Sequence, residues 1–148
     1  MTESAHDRRN AESRERLARL VERLDADSLR SPMGQHWTVA AGLLHLSFWD
    51  RFTLERWADA ERASLTTPRV VDDFVEDLIN DTLTPMLLAG SVEQARALVL
   101  EAAQAVDNYI VRLPESTVAE VGRQGRPRLI DRSIHRNEHV DEIETLLA

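Results

Sequence analysis

The residues from Val39 to Trp49 form a nearly unbroken apolar run, VAAGLLHLSFW, directly after Thr38, a residue type that often caps helix N-termini. A helix that is apolar on every side belongs at the centre of a bundle. His45 lies in the middle of this run. A buried imidazole costs free energy unless its nitrogens find partners, so this ring needs an explanation.

Apolar residues recur at helical spacing along most of the remaining chain, and no segment alternates convincingly with a period of two. Pro85 and Gly90 are expected to end a shorter helix, and residues 91–94, SVEQ, read as a capping box that opens a long one. We therefore predict a single all-α domain over residues 1–148, a four-helix bundle with a short extra helix before the third long helix. An apolar stripe of Leu17, Leu20, Val21 and Leu24 marks the first helix, and Val70, Val71, Phe74, Val75, Leu78 and Ile79 mark the helix before Pro85. The predicted buried face of the long helix consists of Val92, Ala95, Leu98, Val99, Ala102, Val106, Tyr109 and Leu113, and the core-facing positions of the last helix are Leu129, Val140, Ile143 and Leu147.

Composition excludes several classes of function. The 148 residues carry a net charge of −8, which disfavours binding to nucleic acid or anionic lipid. No apolar run has the roughly 20 residues of a membrane span, and the charged N-terminus lacks the apolar core of a signal peptide, so we expect a cytoplasmic protein. The chain contains neither cysteine nor lysine, which excludes disulfides, thiolate ligands, a thiol nucleophile and Schiff-base chemistry.

His135 and His139 are four residues apart on the last predicted helix, so their rings lie on one face and can hold one metal ion. His45 can supply a third nitrogen if the two helices pack together. Two alternatives remain open: an HxxxH pair can be idle on a surface, and a lone core histidine can bond a backbone carbonyl. Gly42, one turn before His45, either leaves room for a ligand or allows close packing, and Trp49 is expected to fill the core.

The segments RLARLVERLDADSLRSPMGQHWTVAAGLLHLSFWDR, VDDFVEDLIND and HRNEHVDEIETLL resemble the DinB family of metal-binding four-helix bundles. That family has a central histidine in its second helix and an HxxxH pair in its last. The resemblance places the metal triad on His45, His135 and His139. It also implies relatives among thiol-dependent transferases and mycothiol-dependent isomerases, and a homodimer. Asn80 matches an asparagine that recurs in the family.

Three neutral imidazoles would leave a divalent ion, zinc first and nickel second, with an open position for a small-molecule thiol. Since the chain has no cysteine, any thiolate must arrive with a small molecule. The resemblance implies that a low-molecular-weight thiol binds the metal, ionises and attacks a small electrophile. Asp131 and Glu142 could orient the histidine rings. A metal-dependent hydrolase and a non-catalytic dimeric binding or stress-response module, suggested by Leu54 and Trp57, remain alternatives. The candidate rim donors for the thiol, which could equally be solvated, are Arg123, Arg126 and Arg128.

Overall fold

Seven α-helices make up most of the computed structural model, which describes residues 2–148. A short antiparallel hairpin precedes the third helix and pairs Pro32 with Thr38 and Met33 with Trp37. The helices are α1 (Ala5–Arg23), α2 (Ala26–Arg30), α3 (Val39–Arg62), α4 (Asp73–Ala89), α5 (Val92–Ile110), α6 (Glu115–Arg123) and α7 (Ser133–Leu147), the strands are β1 (Pro32–Met33) and β2 (Trp37–Thr38), and one 3-10 turn covers Pro127–Leu129.

Helices α1, α3, α5 and α7 form the bundle. The most extensive contact is between α3 and α5, while α1 contacts both α5 and α7. The apolar run predicted for the bundle centre is there, since Leu43 and Leu46 are almost completely buried. The predicted all-α bundle is confirmed. The main core also contains Leu17, Leu20, Leu29, Val99, Ala103, Val140 and Ile143.

Two helix starts follow the predicted capping chemistry. The Thr38 side chain accepts a hydrogen bond from the backbone N–H of Ala41 at 3.1 Å and begins α3. Ser91 and Gln94 form both hydrogen bonds of a capping box at the start of α5. These caps satisfy backbone donors that a helix leaves unpaired in its first turn.

Helix α4 extends further than predicted. It has 17 residues and continues through Pro85 to Ala89. It packs against α3 and β2 rather than inside the bundle, so the apolar residues that mark this helix in the sequence lie largely at the surface. Val70 is 78% exposed, Phe74 73% and Leu78 53%.

Three other expectations about burial and connections are corrected. Leu98 and Leu147, predicted to face the core, are 41% and 44% exposed. The segment predicted as one Gly- and Arg-containing connection is partly helical, because α6 runs to Arg123 before the chain turns at Gly125. Trp57, suggested as part of a binding surface, is buried in a second apolar cluster and donates a hydrogen bond to the carbonyl of Leu129.

Within residues 2–148, no helix is both long enough and apolar enough to cross a membrane.

Candidate metal centre

Three histidines from opposite ends of the chain meet between two packed helices. His45 lies in the middle of α3, and His135 and His139 lie on successive turns of α7. Helices α3 and α7 contact each other, which brings the three rings together. Their ring centroids are 4.9–5.1 Å apart, with the rings set edge to face.

The distances between the rings suit a shared metal ion. One ring nitrogen from each histidine lies within 4.8 Å of the corresponding nitrogens of the other two. The Nε2 atoms of His45 and His135 are 3.1 Å apart. Two imidazoles on one tetrahedral zinc ion should have their nitrogens roughly 3.3 Å apart, given metal–nitrogen bonds of about 2.0 Å. His45, His135 and His139 could therefore hold a metal ion with small adjustments of their rings.

Burial keeps the three rings neutral. It lowers the pKa of His45 to about 3, with a further contribution from His139. Burial also lowers the pKa of His135 to about 2, assisted by the positive charge of Arg132. The pKa of His139 is lowered by burial as well, and Glu142 opposes this shift. Neutral imidazole is the form that binds metal ions, so the site is ready to bind without losing protons.

Aromatic side chains enclose the cluster. The ring of Trp37 lies 4.4 Å from that of His45 and 6.2 Å from that of His139, measured between centroids. Trp49 lies 6.4 Å from His45 and donates a hydrogen bond from Nε1 to Oδ1 of Asn80 at 2.8 Å. Asn80 thus fixes the orientation of a tryptophan beside the cluster.

The two acidic residues predicted to orient the histidines have different surroundings. Oε2 of Glu142 lies 3.4 Å from Nδ1 of His139, which is buried and makes no hydrogen bond to any described residue. A small movement would form this bond and direct Nε2 of His139 toward the other rings. Asp131 instead accepts hydrogen bonds from Nε of Arg9 and from the hydroxyl of Ser133, so its carboxylate is used in the fold.

Gly42 serves packing rather than a ligand. A Cβ atom added at this position would lie 2.2 Å from Cε of Met33, which is itself almost completely buried. The glycine therefore allows the hairpin to pack against α3. Of the two interpretations of Gly42 that the sequence leaves open, the structure supports close packing.

An open cavity of about 540 Å³ reaches the histidine cluster and is lined by His45 and His135. Arg126 and Arg128, two of the three arginines predicted at the rim, also line it. Arg123 does not, because it lies beside a separate surface depression and forms an ion pair with Glu120 at 2.7 Å. The remaining cavity wall includes Trp49, Thr53, Arg56, Val70, Val71, Glu76, Asn80, Pro127, Leu129, Arg132 and Glu138.

A buried network of charges next to the histidines was not predicted from the sequence. The Arg136 side chain is completely buried and bonds to the carboxylates of Asp50 and Asp107. Asp50 also accepts a hydrogen bond from Arg132 at 2.8 Å, and Arg14 pairs with Asp107. Two signals were present: Asp50 directly follows the apolar run, and Asp107 lies within the predicted buried face of α5. This network connects α7 to α3 and α5 one residue from His135.

Comparisons with known proteins identify the family. A family model described as the DinB superfamily matches residues 9–136, a range that includes His45 and His135 and ends three residues before His139. No match was found among curated proteins, and none among solved structures. The match covers most of the chain and agrees with the helical bundle and with the resemblance in the first two quoted segments, whereas the third lies almost entirely beyond residue 136. The chain belongs to the DinB superfamily.

Proposed function

We propose that this protein is a metal-dependent enzyme, a mycothiol-type S-transferase or isomerase that joins a low-molecular-weight thiol to a small electrophile. The observation that carries the proposal is the convergence of His45, His135 and His139 beside an open cavity. Zinc is the first candidate ion and nickel the second, since three imidazoles suit both.

The histidines fit a catalytic rather than a purely structural metal site. Three protein ligands leave at least one coordination position for another molecule. A divalent ion bound by neutral imidazoles supplies Lewis-acid activation, which lowers the pKa of a thiol or of water at neutral pH. The chain's own residues hold the ligands neutral by burial and keep one side of the cluster accessible through the cavity lined by His45 and His135.

The thiol must come from a small molecule, because the chain has no cysteine. In the proposed reaction, the thiol gives up its proton to the solvent and its sulfur forms a bond to carbon. In a transfer, the leaving group departs with the electron pair of its bond. In an isomerisation, the thiolate adds to a carbon–carbon double bond, and the carbon–sulfur bond breaks again after rotation, so the thiol is released unchanged. Arg126 and Arg128 are candidates to hold the anionic or sugar groups of the thiol, whereas Arg123 lies outside the cavity.

Cobalt-loaded protein tests whether a thiol binds at the cluster. We expect N-acetylcysteine to produce a near-ultraviolet sulfur-to-cobalt band, because the metal site should accept an external thiolate. N-acetylserine, which has oxygen in place of sulfur, is the matched control and should produce no such band. Absence of the band with N-acetylcysteine would contradict a thiol-dependent reaction.

A transfer assay tests the reaction itself. With N-acetylcysteine and 1-chloro-2,4-dinitrobenzene, a carbon–sulfur bond forms, chloride leaves, and the thiol proton passes to the buffer. Zinc-loaded protein should accelerate this reaction, and His45→Ala should abolish the acceleration. His36→Ala, in the exposed loop before α3, is the control and should keep the full rate.

The alternatives predict different results. A metal-dependent hydrolase would cleave an activated ester without any thiol. A non-catalytic binding module would show no turnover in either assay, and His45→Ala would alter only its stability. The support that Trp57 gave to this module is weakened because that side chain is buried.

The exposed apolar residues of α4 still support a homodimer, and the net charge of −8 supports a protein that binds neither nucleic acid nor membranes.

A further inference from the structure

Arg56 and Arg126 lie side by side on the wall of the cavity that reaches the histidines. Both donate to the same backbone carbonyl, that of Arg69, with distances of 2.9 Å from Nη2 of Arg56 and 3.3 Å from Nη2 of Arg126. This shared acceptor holds two positively charged groups next to each other. Two guanidinium groups in such proximity repel each other unless an anion lies between them.

Neither arginine has an acidic partner in the part of the chain that the structure describes. Arg128 and Arg132 line the same cavity but are paired, with Glu138 at 2.8 Å and Asp50 at 2.8 Å. Glu76 lines the same cavity and interacts electrostatically with Arg56, but no carboxylate within residues 2–148 lies within ion-pair distance of Arg56 or Arg126.

The Nε atom of Arg56 is buried and has no hydrogen-bond partner among the described residues. A buried donor without an acceptor costs free energy, and a guanidinium donor costs more than a neutral one. Burial and the neighbouring charges of Arg126 and Arg132 lower the pKa of Arg56, and the carboxylate of Glu76 only partly opposes this shift. A ligand with a negatively charged oxygen would remove both the unpaired donor and the repulsion.

Apolar side chains lie on the same wall as the two arginines. Val70, Val71 and Leu129 line this cavity together with Trp49. A ligand that fits these surroundings has an anionic group for the arginines and an apolar part for the remaining wall. Inorganic ions provide only the first of these features.

We infer that Arg56 and Arg126 form an anion-binding subsite that holds the carboxylate or phosphate of a small organic molecule beside the histidine cluster. Identifying this molecule as the small-molecule thiol, for which Arg126 is already a candidate donor, rests on the proposed function, but anion binding by the two arginines does not. The subsite would leave the other end of the molecule free to extend toward His45 and His135.

Calorimetry on metal-free protein tests the subsite independently of the metal. The chelator must be removed beforehand, because it is itself a carboxylate, and the absence of metal prevents direct coordination of the probe. We expect succinate or phenyl phosphate to bind, and uncharged succinamide not to bind. The preferred probe then distinguishes a carboxylate subsite from a phosphate subsite.

Substitutions assign the binding to the two arginines. Arg56→Gln and Arg126→Gln should each weaken binding of the preferred probe by about tenfold or more, since each removes a charged hydrogen bond. Arg123→Gln is the matched control, because Arg123 belongs to the same segment but lies outside the cavity and pairs with Glu120. Both cavity variants should fold as stably as the wild type, because each relieves repulsion between like charges.

Three results would overturn the subsite: no binding of either anion by the wild type, binding unchanged in both cavity variants, or equal weakening by Arg123→Gln. Failure of the thiol assays with anion binding intact would refute the proposed function and leave the subsite standing. Loss of anion binding with thiol transfer intact would refute the subsite alone.

Discussion

The three histidine rings combine burial with access. His45 is 5% exposed, and its pKa is lowered to about 3 because the ring lies among apolar neighbours and beside His139. A cavity nevertheless reaches His45 and His135. At the scale of single residues, the site therefore keeps its ligands unprotonated while remaining open to a small molecule.

Zinc affinity should depend little on pH between 7.5 and 6.0. Three histidines with the ordinary pKa of about 6.5 would lose roughly 50-fold in affinity over this interval, because protons would compete for their nitrogens. Here burial lowers the pKa of His45 to about 3 and that of His135 to about 2, and it also lowers the pKa of His139, so protons compete less for these nitrogens at pH 6.0. We expect a change smaller than about threefold, measured by calorimetry at each pH. A loss near 50-fold would show that the rings titrate normally.

At the scale of secondary-structure elements, a completely buried arginine fixes the helix that carries two of the histidines. Arg136 lies between His135 and His139 in sequence and bonds to Asp50 of α3 and Asp107 of α5. It also contacts the backbone carbonyl of Asn10 in α1. One side chain thus connects α7 to the other three helices of the bundle.

Arg136→Met should lower the free energy of unfolding by about 3 kcal/mol, at the lower end of the range for breaking a buried ion pair. The loss of stability stays at the lower end of that range because both aspartates retain an ion pair in the variant, Asp50 with Arg132 and Asp107 with Arg14. The measurement is urea denaturation followed by circular dichroism.

Arg9→Met is the control for this prediction. It removes an ion pair of a half-exposed arginine with Asp131 and should cost less than about 1 kcal/mol. An equal effect of the two substitutions would contradict the importance given to the buried network.

The sequence predicted the elements whose local signals agree with their packing. Thr38 and Ser91 cap helices as expected, and the apolar run forms the centre of the bundle. The sequence predicted that α4 would end before Pro85, because proline lacks a backbone N–H and usually interrupts a helix. The helix instead continues through Pro85 to Ala89. Periodicity also could not show that the apolar stripe of α4 faces outward, since burial depends on which helices pack on each side.

The sequence likewise predicted one part of the candidate site and missed another. The HxxxH spacing pointed to His135 and His139, and the apolar surroundings singled out His45. The pairing of Arg136 with two aspartates and the position of Arg56 beside Arg126 depend on contacts between distant segments. No local spacing encodes such contacts, so only the assembled bundle reveals them.

At the scale of the whole molecule, α4 and the segment before it expose several large apolar side chains on the surface. Phe74 and Leu78 of α4, and Val70 in the segment just before it, are each more than half exposed. Exposed apolar patches on soluble proteins often mark interaction sites. The homodimer implied by the family resemblance would cover such a patch.

Sedimentation velocity tests this expectation. The wild type should sediment as a dimer, and Phe74→Glu should shift it to a monomer, because a charge on the patch opposes its burial. Val111→Glu is the control, since Val111 is 57% exposed at the end of α5 and should leave the dimer intact. A monomeric wild type at all concentrations would contradict the dimer.

Calorimetric titration of zinc into untagged, metal-free protein tests most directly whether the histidine cluster is a metal centre. We predict one ion per chain for the wild type and for His36→Ala, whose substituted side chain lies in an exposed loop. Substituting a residue that only orients a metal ligand typically lowers metal affinity by about 10- to 100-fold. Removing a ligand itself should lower it further, so His45→Ala and His135→Ala should each weaken zinc binding by at least about a hundredfold. Absence of zinc binding in the wild type, or undiminished binding in both cluster variants, would contradict the account.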